Sequence, residues 1–577
     1  MNIFDELWRD LRKNGQVICQ DETIWEEATL EIPKDHLNGD ISTNLAMIIA
    51  ARQKKNPRAI SLELKEHFLN IEYLAHIEVA GPGFINFTIK ASKWHECINS
   101  ILSEKTNFWD CNIGNGHKIN VEFVSANPTG PMHVGHARGA VYGDVLANIL
   151  LKCGYKVTKE YYINDAGSQI DTLLDSAFIR YKEAITGETL EIEEGLYPGD
   201  YLINIGQKLA KEFGKELLSL EHFSMRQKIK KIVVDAMLDL IKFDLDQLGV
   251  HHDVFVSEQS LHNNGDIDKA VEILRNKGLI YRGFLPAPKG KIDENWQPKE
   301  QLLFKSSDYG DDQDRPVQKS DNSWSYLAAD FAYAKNKIER GFETLIYILG
   351  ADHSGYVKRI KAVIDALGEG KVQSDIRISQ LVNFVKQGKP IKMSKRSGNF
   401  MTVSDVTNYV SKDIIRFIML TRRNDMTLDF DFDKVKEQSK DNPVFYVQYA
   451  HVRLNSILSK AQEVSQEAYQ KFVNREFDLS LLSSEIEIQL IKTLAAWPRT
   501  LFSAAKFFEP QRIAYYLIDV ASQFHTIWHL GKGQADYRFV MEDSSDYTAA
   551  KLALAEAIKR VLQAGFEVIG IEPMEKM

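Results

Sequence analysis

The sequence predicts an α/β nucleotide-binding domain set between a small α+β unit and an all-α bundle, and three observations predict it. Residues 121–148 (VEFVSANPTGPMHVGHARGAVYGDVLAN) read as strand, tight loop and helix; residues 343–367 repeat that grammar; and from residue 442 onward the apolar spacing is almost purely helical. A short apolar run leading through a Pro/Gly turn into a helix start is how open α/β sheets build phosphate sites, because the unpaired N–H groups of a helix N-terminus attract negative charge. At 577 residues the chain exceeds one core, and roughly 150 residues per domain gives about three or four domains.

Composition narrows the class further. The 44% hydrophobic and 26% charged content is that of an ordinary globular chain. The start, MNIFDELWRDLRKNG, mixes acids and bases among apolar residues and lacks the basic flank and unbroken apolar stretch of a secretory signal. No run approaches the roughly 20 apolar residues of a membrane helix, so no membrane association and a cytoplasmic location are expected. Cys19, Cys97, Cys111 and Cys153 are far apart in sequence with no CxxC spacing, which disfavours a zinc site and a disulfide scaffold and predicts scattered reduced thiols. A net charge of −9 argues against a wholly basic nucleic-acid coat but allows local basic surfaces.

Taken in order, residues 1–107 carry helical patterns at 3–11, 42–52 and 61–69 and then the extended IEVAGPGFINFTIK, a small α+β unit. Arg52, Lys54, Lys55 and Arg58 form a basic cluster there, a solvated helix end unless other features require RNA. After residues 121–148, TKEYYINDAGSQI supplies a second β-prone segment, and the long material at about 170–300 is expected to be an insertion, since loops of that size rarely lack structure of their own. WSYLAADFAY places Tyr326 and Asp330 one helical turn apart on one face. In residues 343–367 an apolar run ends at a glycine turn bearing Asp352 and His353, a second strand-loop-helix able to close the same site. GKPIKMSKRSGNF (388–400) is basic and glycine-bearing. Beyond it, four or so long helices suit a bundle, with Tyr446, Tyr449 and Arg453 on one face and further aromatics at Tyr515, Tyr516, Phe524 and His525; most of these rings are core, and exposed ones could stack unpaired RNA bases.

Two histidines bracketing a glycine at a helix start, with a distant lysine loop, suit phosphoryl chemistry at the α-phosphate of ATP. Donors at the helix end and mobile cations would stabilise charge developing in the transition state, and glycine lets a nucleotide approach the backbone. His133-Val134-Gly135-His136 and Lys392-Met393-Ser394-Lys395-Arg396 resemble the two signatures of class I aminoacyl-tRNA synthetases. Either alone is weak; both, in the right order and separation, are specific. VEFVSANPTGPMHVGHARGA, LFKSSDYGDDQDRP, SWSYLAADFAY, GADHSGY, NPVFYVQYAHVR, GDISTNLAM and VAGPGFINF narrow the resemblance to arginyl-tRNA synthetases, and it spans essentially the whole chain.

The resemblance implies an α/β Rossmann-type catalytic domain with an α+β N-terminal domain and an all-α C-terminal anticodon-binding bundle. Its divisions would be 1–107, touching the tRNA elbow; 108–370, catalytic, with the connective insertion at about 170–300; 371–440, the lysine loop and stem-contact region; and 441–577, reading the anticodon. It implies ATP-dependent formation of arginyl-adenylate and transfer of arginine to its cognate tRNA, with Mg2+ accompanying ATP, activation requiring bound tRNA, and a monomer. Position by position, His133 and His136 would bind the ATP phosphates beside Pro131, Gly135 would admit adenine and ribose, and Lys395 would stabilise the leaving pyrophosphate with Lys392 in support and Met393 and Ser394 shaping the loop. Glu122, Asn127, Tyr326 and Asp330 match the family's arginine pocket. The physics agrees, because a guanidinium asks for carboxylates in forked geometry, and an uncharged amino acid would leave those acids buried and unpaired. No dedicated metal ligand is assigned.

Val134 stands where the family signature has isoleucine, and the tail reads EPMEKM rather than Ala-Pro-Glu-Arg-Met. Three rivals have weaker support. A cysteinyl-type synthetase would need zinc-ligand cysteine spacing. A non-catalytic RNA-binding paralogue would be free to lose the histidines or Lys395. A nucleotidylyltransferase would be short and lack the helical tail.

Overall fold

The computed structural model describes residues 2–33, 35–103, 111–285, 299–319, 321–391, 401–439 and 441–576. Its centre is a five-stranded parallel sheet of β1 (Lys118–Phe123), β2 (Lys156–Ile163), β3 (Val254–Ser257), β4 (Thr344–Gly350) and β5 (Gln373–Ser379), ordered β3-β2-β1-β4-β5. Strand order reverses between β1 and β4, and in such sheets the crevice at the carboxyl ends of those two strands is the ligand site. β1 is buried on both faces beyond its first residue, as a parallel strand covered by helices must be.

The helix that follows β1, α1 (Ala137–Lys152), is buried around nearly its whole circumference, the pattern of a helix enclosed by other elements rather than lying on a surface. It approaches β1 so closely that a Cβ at Gly143 would lie 2.2 Å from the Phe123 ring. Two buried arginines fix it to distant chain. Arg138, in the first turn of α1, donates to the carbonyls of Gln380 (3.1 Å), Met426 (2.5 Å) and Arg423 (2.7 Å). Arg416, fully buried, donates to Asp144 on α1 (2.5 Å), to the Ile569 carbonyl (2.7 Å) and to the Leu248 carbonyl (3.0 Å). Each guanidinium spends its forked donors on two or three separate segments, so the region after β5 and the end of the C-terminal bundle are seated on α1.

The N-terminal unit is α+β as expected: a four-stranded antiparallel sheet ordered Leu30–Glu31, Ile41–Thr43, Phe84–Ile89, Leu74–Ala80, with helices including Ile3–Gly15, Leu45–Gln53, Pro57–Phe68 and Ala91–Ser103. The helical pattern at 42–52 is corrected at its start, where Ser42 and Thr43 are strand. The C-terminal region holds six α-helices among the described residues, Pro443–Val464 to Ser545–Ile569, and three of them, of 22, 20 and 25 residues, are long, where four or so long helices were expected. Tyr446, Tyr516, Phe524 and His525 pack inside or against its core, Arg453 lies over the Tyr449 and Trp528 rings, and Tyr515 is exposed.

Three expectations need correction. The stretch 170–300 is not one insertion, because β3 pairs within the central sheet; the separate three-stranded sheet of Ile280–Phe284, Glu300–Phe304 and Arg315–Pro316 continues past residue 300. The catalytic sheet runs beyond residue 370, since β5 covers Gln373–Ser379. The cysteines are not all scattered: the Cys111 and Cys153 sulfurs meet at 2.6 Å, brought together by the chain entering β1 and the end of α1.

Candidate active site

Beyond β1 the chain leaves the sheet through Val124 (φ 70) and Ser125 (φ 39). A β-branched residue in left-handed backbone is a genuine outlier, and such strain gathers where surrounding structure over-determines a site. The turn is held from both sides: the Ser125 hydroxyl donates to Glu122 (3.1 Å) and accepts from the Tyr162 N–H of β2 (3.0 Å). Above it, at the carboxyl ends of β1 and β4, lies a cavity of about 540 Å³. Glu122, Asn127, His136, Tyr326 and Asp330 all line it, as do Gly350 at the end of β4 and Asp352 and His353 after it. Elements more than 200 residues apart in sequence therefore converge on one site.

The carboxylates in this cavity have different surroundings. Glu122 accepts from the fully buried Lys337 ammonium at 2.5 Å; Lys337 also lies 3.9 Å from Glu160 and over the Tyr347 and Tyr333 rings. Glu160 in turn accepts from Arg340 (2.5 Å), Asn120 (2.9 Å) and the Tyr333 hydroxyl (2.7 Å). Two buried acids and two cations thus balance beneath the floor, the condition for keeping charge in low dielectric. Asp330 has no hydrogen bond or ion pair among the described residues. Burial first, then the charges of Glu258 and Glu122, push its carboxyl up to about 8, opposed by Arg359.

Glu258 was missed by sequence reasoning. It opens the helix Glu258–Asn263 directly after β3, lines the same cavity and is buried. Burial holds its carboxyl above the ordinary range against the donating Tyr162 hydroxyl. In sequence it is one acid in the first turn of a helix capped by Ser257, and only the pairing of β3 with β2 reveals that it faces the cavity. Lys337 was missed for a similar reason, as one more lysine on an amphipathic helix. The Tyr162 and Tyr333 rings, 4.6 Å apart, form an aromatic wall, and Tyr326, 56% exposed, stands at the mouth.

At the other end the loop 128–136 leads into α1. His133 caps the short turn Val134–His136, its Nδ1 accepting from the Gly135 N–H at 2.9 Å. That geometry itself requires glycine, since a Cβ at 135 would lie 2.9 Å from the His133 ring. The two imidazoles stand edge to face with centroids 6.2 Å apart. His136 lines the cavity, whereas Pro131, His133 and Gly135 are not among its lining residues and stand in the loop beside it. Lys392, Met393, Ser394 and Lys395 lie outside the described residues. The chain that follows them is placed: Val134 N–H donates to the Met401 carbonyl (3.0 Å), Val403 N–H donates to the Met132 carbonyl (2.9 Å), and His133 bridges Thr402. The chain leaving the lysine segment is therefore paired, backbone to backbone, with the histidine loop.

A parallel sheet with its switch point between β1 and β4, a histidine loop at the first crossover helix and a partner loop bonded to it define the catalytic domain of a class I aminoacyl-tRNA synthetase. Residues 97–460 match the family described as tRNA synthetases class I (R), catalytic domain; residues 7–89 match the arginyl tRNA synthetase N terminal domain, and residues 447–577 the DALR anticodon binding domain. An arginine–tRNA ligase of Rickettsia peacockii is 58% identical over 577 residues, all of both chains, and one of Rickettsia bellii is 57% identical over the same span. The fold is shared with the Thermus thermophilus arginyl-tRNA synthetase (TM-score 0.74, 18% identity, 100% of both chains) and with that of Plasmodium falciparum (TM-score 0.67, 16% identity, 100% of this chain and 99% of that one). The chain belongs to the arginyl-tRNA synthetase family.

Proposed function

We propose that the cavity at the carboxyl ends of β1 and β4 seats arginine with its guanidinium toward Asp330, and that ATP lies across the loop 131–136, where the two meet to form arginyl-adenylate. The overall reaction of the family is ATP-dependent ligation of arginine to its tRNA. The observation that carries the site assignment is Asp330, a carboxylate facing a cavity with no cation at contact distance among the described residues. Glu122 is already neutralised by Lys337, so Asp330, with Glu258 nearby, is the group that a cationic side chain would complete. A forked guanidinium satisfies such an acceptor better than an ammonium can.

In this reading the arginine carboxylate attacks the α-phosphorus in line and pyrophosphate leaves. Asn127 and Tyr326, at the mouth, orient the amino acid. His133 and His136 donate to the phosphates, and Lys392 and Lys395 offset charge on the departing pyrophosphate; this is positioning plus electrostatics. Mg2+ would arrive on the ATP phosphates and keep several of its waters. Activation depends on bound tRNA, and the docking of the C-terminal bundle on α1 through Arg416 offers a physical route for that dependence. The family resemblance supports a cytoplasmic monomer.

The test is pyrophosphate exchange with each amino acid, with and without tRNA. Exchange with arginine that needs tRNA is expected. Exchange with cysteine and none with arginine would refute the assignment.

A further inference from the structure

Two loops reach the nucleotide end of the site from distant parts of the chain, and one buried carboxylate touches both. Asp244 lies in the last turn of the helix His222–Gln247 and is buried. One carboxylate oxygen accepts from the Met132 N–H at 2.6 Å, the other from the Ser404 hydroxyl at 2.5 Å. Met132 directly precedes His133, and Ser404 follows the residues whose backbone pairs with Met132 and Val134. Among the described residues no cation forms an ion pair with Asp244. Burial, despite the Ser404 and Met132 donors, holds its carboxyl above the ordinary range.

A buried acid without a cation is expensive, so a purely space-filling role would be met better by an apolar side chain. What a carboxylate adds is two acceptor oxygens at a fixed separation on one rigid group. Here each oxygen holds a different loop, and the helix supplying the group belongs to neither. We propose that Asp244 is a positioning residue for ATP activation, setting the spacing between the histidine loop and residues 401–404. The inference rests on the adenylation reading given above. Displacements of about 1 Å at a reacting centre can cost on the order of a hundredfold in rate. Neither Met132 nor Ser404 lines the cavity assigned to arginine, so the effect falls on ATP and leaves arginine recognition alone.

The experiment is arginine- and tRNA-dependent pyrophosphate exchange on the full chain, with kcat and both KM values measured for wild type, Asp244→Ala, Asp244→Asn and Ser404→Ala. Asp244→Ala should lower kcat about tenfold or more and raise the KM for ATP, with the KM for arginine unchanged. Asp244→Asn keeps an oxygen for Met132 and gains an amide donor for the Ser404 hydroxyl, so it should recover most of the rate. Ser404→Ala, which releases one loop only and tests the clamp even where Asp244→Ala fails to fold, should show a smaller effect in the same direction. Normal kcat and KM for ATP in Ser404→Ala and in folded Asp244→Ala, or an arginine KM that rises in step with that for ATP, would overturn the inference. A wild-type chain without arginine-dependent exchange would overturn the adenylation reading and this inference with it, whereas a normal wild type beside unaffected variants overturns the inference alone.

Discussion

In the proposed reading, the two ends of the site are built by different means. The nucleotide end is made from backbone: a short contiguous loop, its glycine fitted under the His133 ring, paired by N–H···O=C bonds with residues 401–403. The amino-acid end is made from side chains that arrive from β1, β2, β4 and the helices Glu258–Asn263 and Tyr326–Glu339, and its geometry depends on buried charges that compensate one another. That backbone pairing fixes the loop carrying His133 and His136 without involving the amino-acid end. Compensated buried carboxylates suit selection, because a ligand lacking the complementary charge leaves them unpaired.

The largest effect expected at the amino-acid end is structural. Lys337→Met removes the ammonium between Glu122 and Glu160 while keeping much of its volume, and leaving buried acids uncompensated should cost about 3–5 kcal/mol of stability. Denaturant unfolding of variant and wild type side by side measures this; a difference below about 1 kcal/mol would mean that the charge balance beneath the floor is not what holds it. At the nucleotide end the corresponding loss is kinetic. Lys395→Ala should lower kcat for activation at least about a hundredfold, as removal of one transition-state donor does, with little change in arginine affinity. An unchanged exchange rate would remove Lys395 from the mechanism and break the contrast between the two ends.

The same contrast explains what was legible in the sequence. The histidine loop, the lysine segment and the glycine turn after β4 are local, so residue type and spacing expose them directly. Helical periodicity put Tyr326 and Asp330 on one face, but their pocket role came from the family resemblance and not from the spacing. Glu258, Lys337 and Asp244 were out of reach, since each takes its role from a partner more than 95 residues away: Glu258 from Tyr162, Lys337 from Glu122, and Asp244 from Met132 and Ser404. The extent of the insertion was misjudged because β3 is four residues long, too short for an alternation to show. The left-handed turn at Val124 and Ser125 ran against the propensity of both residues and is imposed by the Glu122, Tyr162 and Phe123 hydrogen bonds around it.

Asp330 offers the most direct test of the account. Its carboxyl stands near 8, whereas a guanidinium binds the ionised form, so below that pH a proton must leave before arginine is held. The KM for arginine in wild type should therefore fall up to about tenfold per unit as pH rises from roughly 6 toward 8 and then level off. In Asp330→Asn it should lie about thirtyfold above the wild-type high-pH plateau, the loss of about 2 kcal/mol for one charge-assisted hydrogen bond, and should no longer vary with pH, with the KM for ATP near normal throughout. A near-normal arginine KM in the variant, or the wild-type slope persisting without the carboxyl, would contradict the account and place the arginine side chain elsewhere.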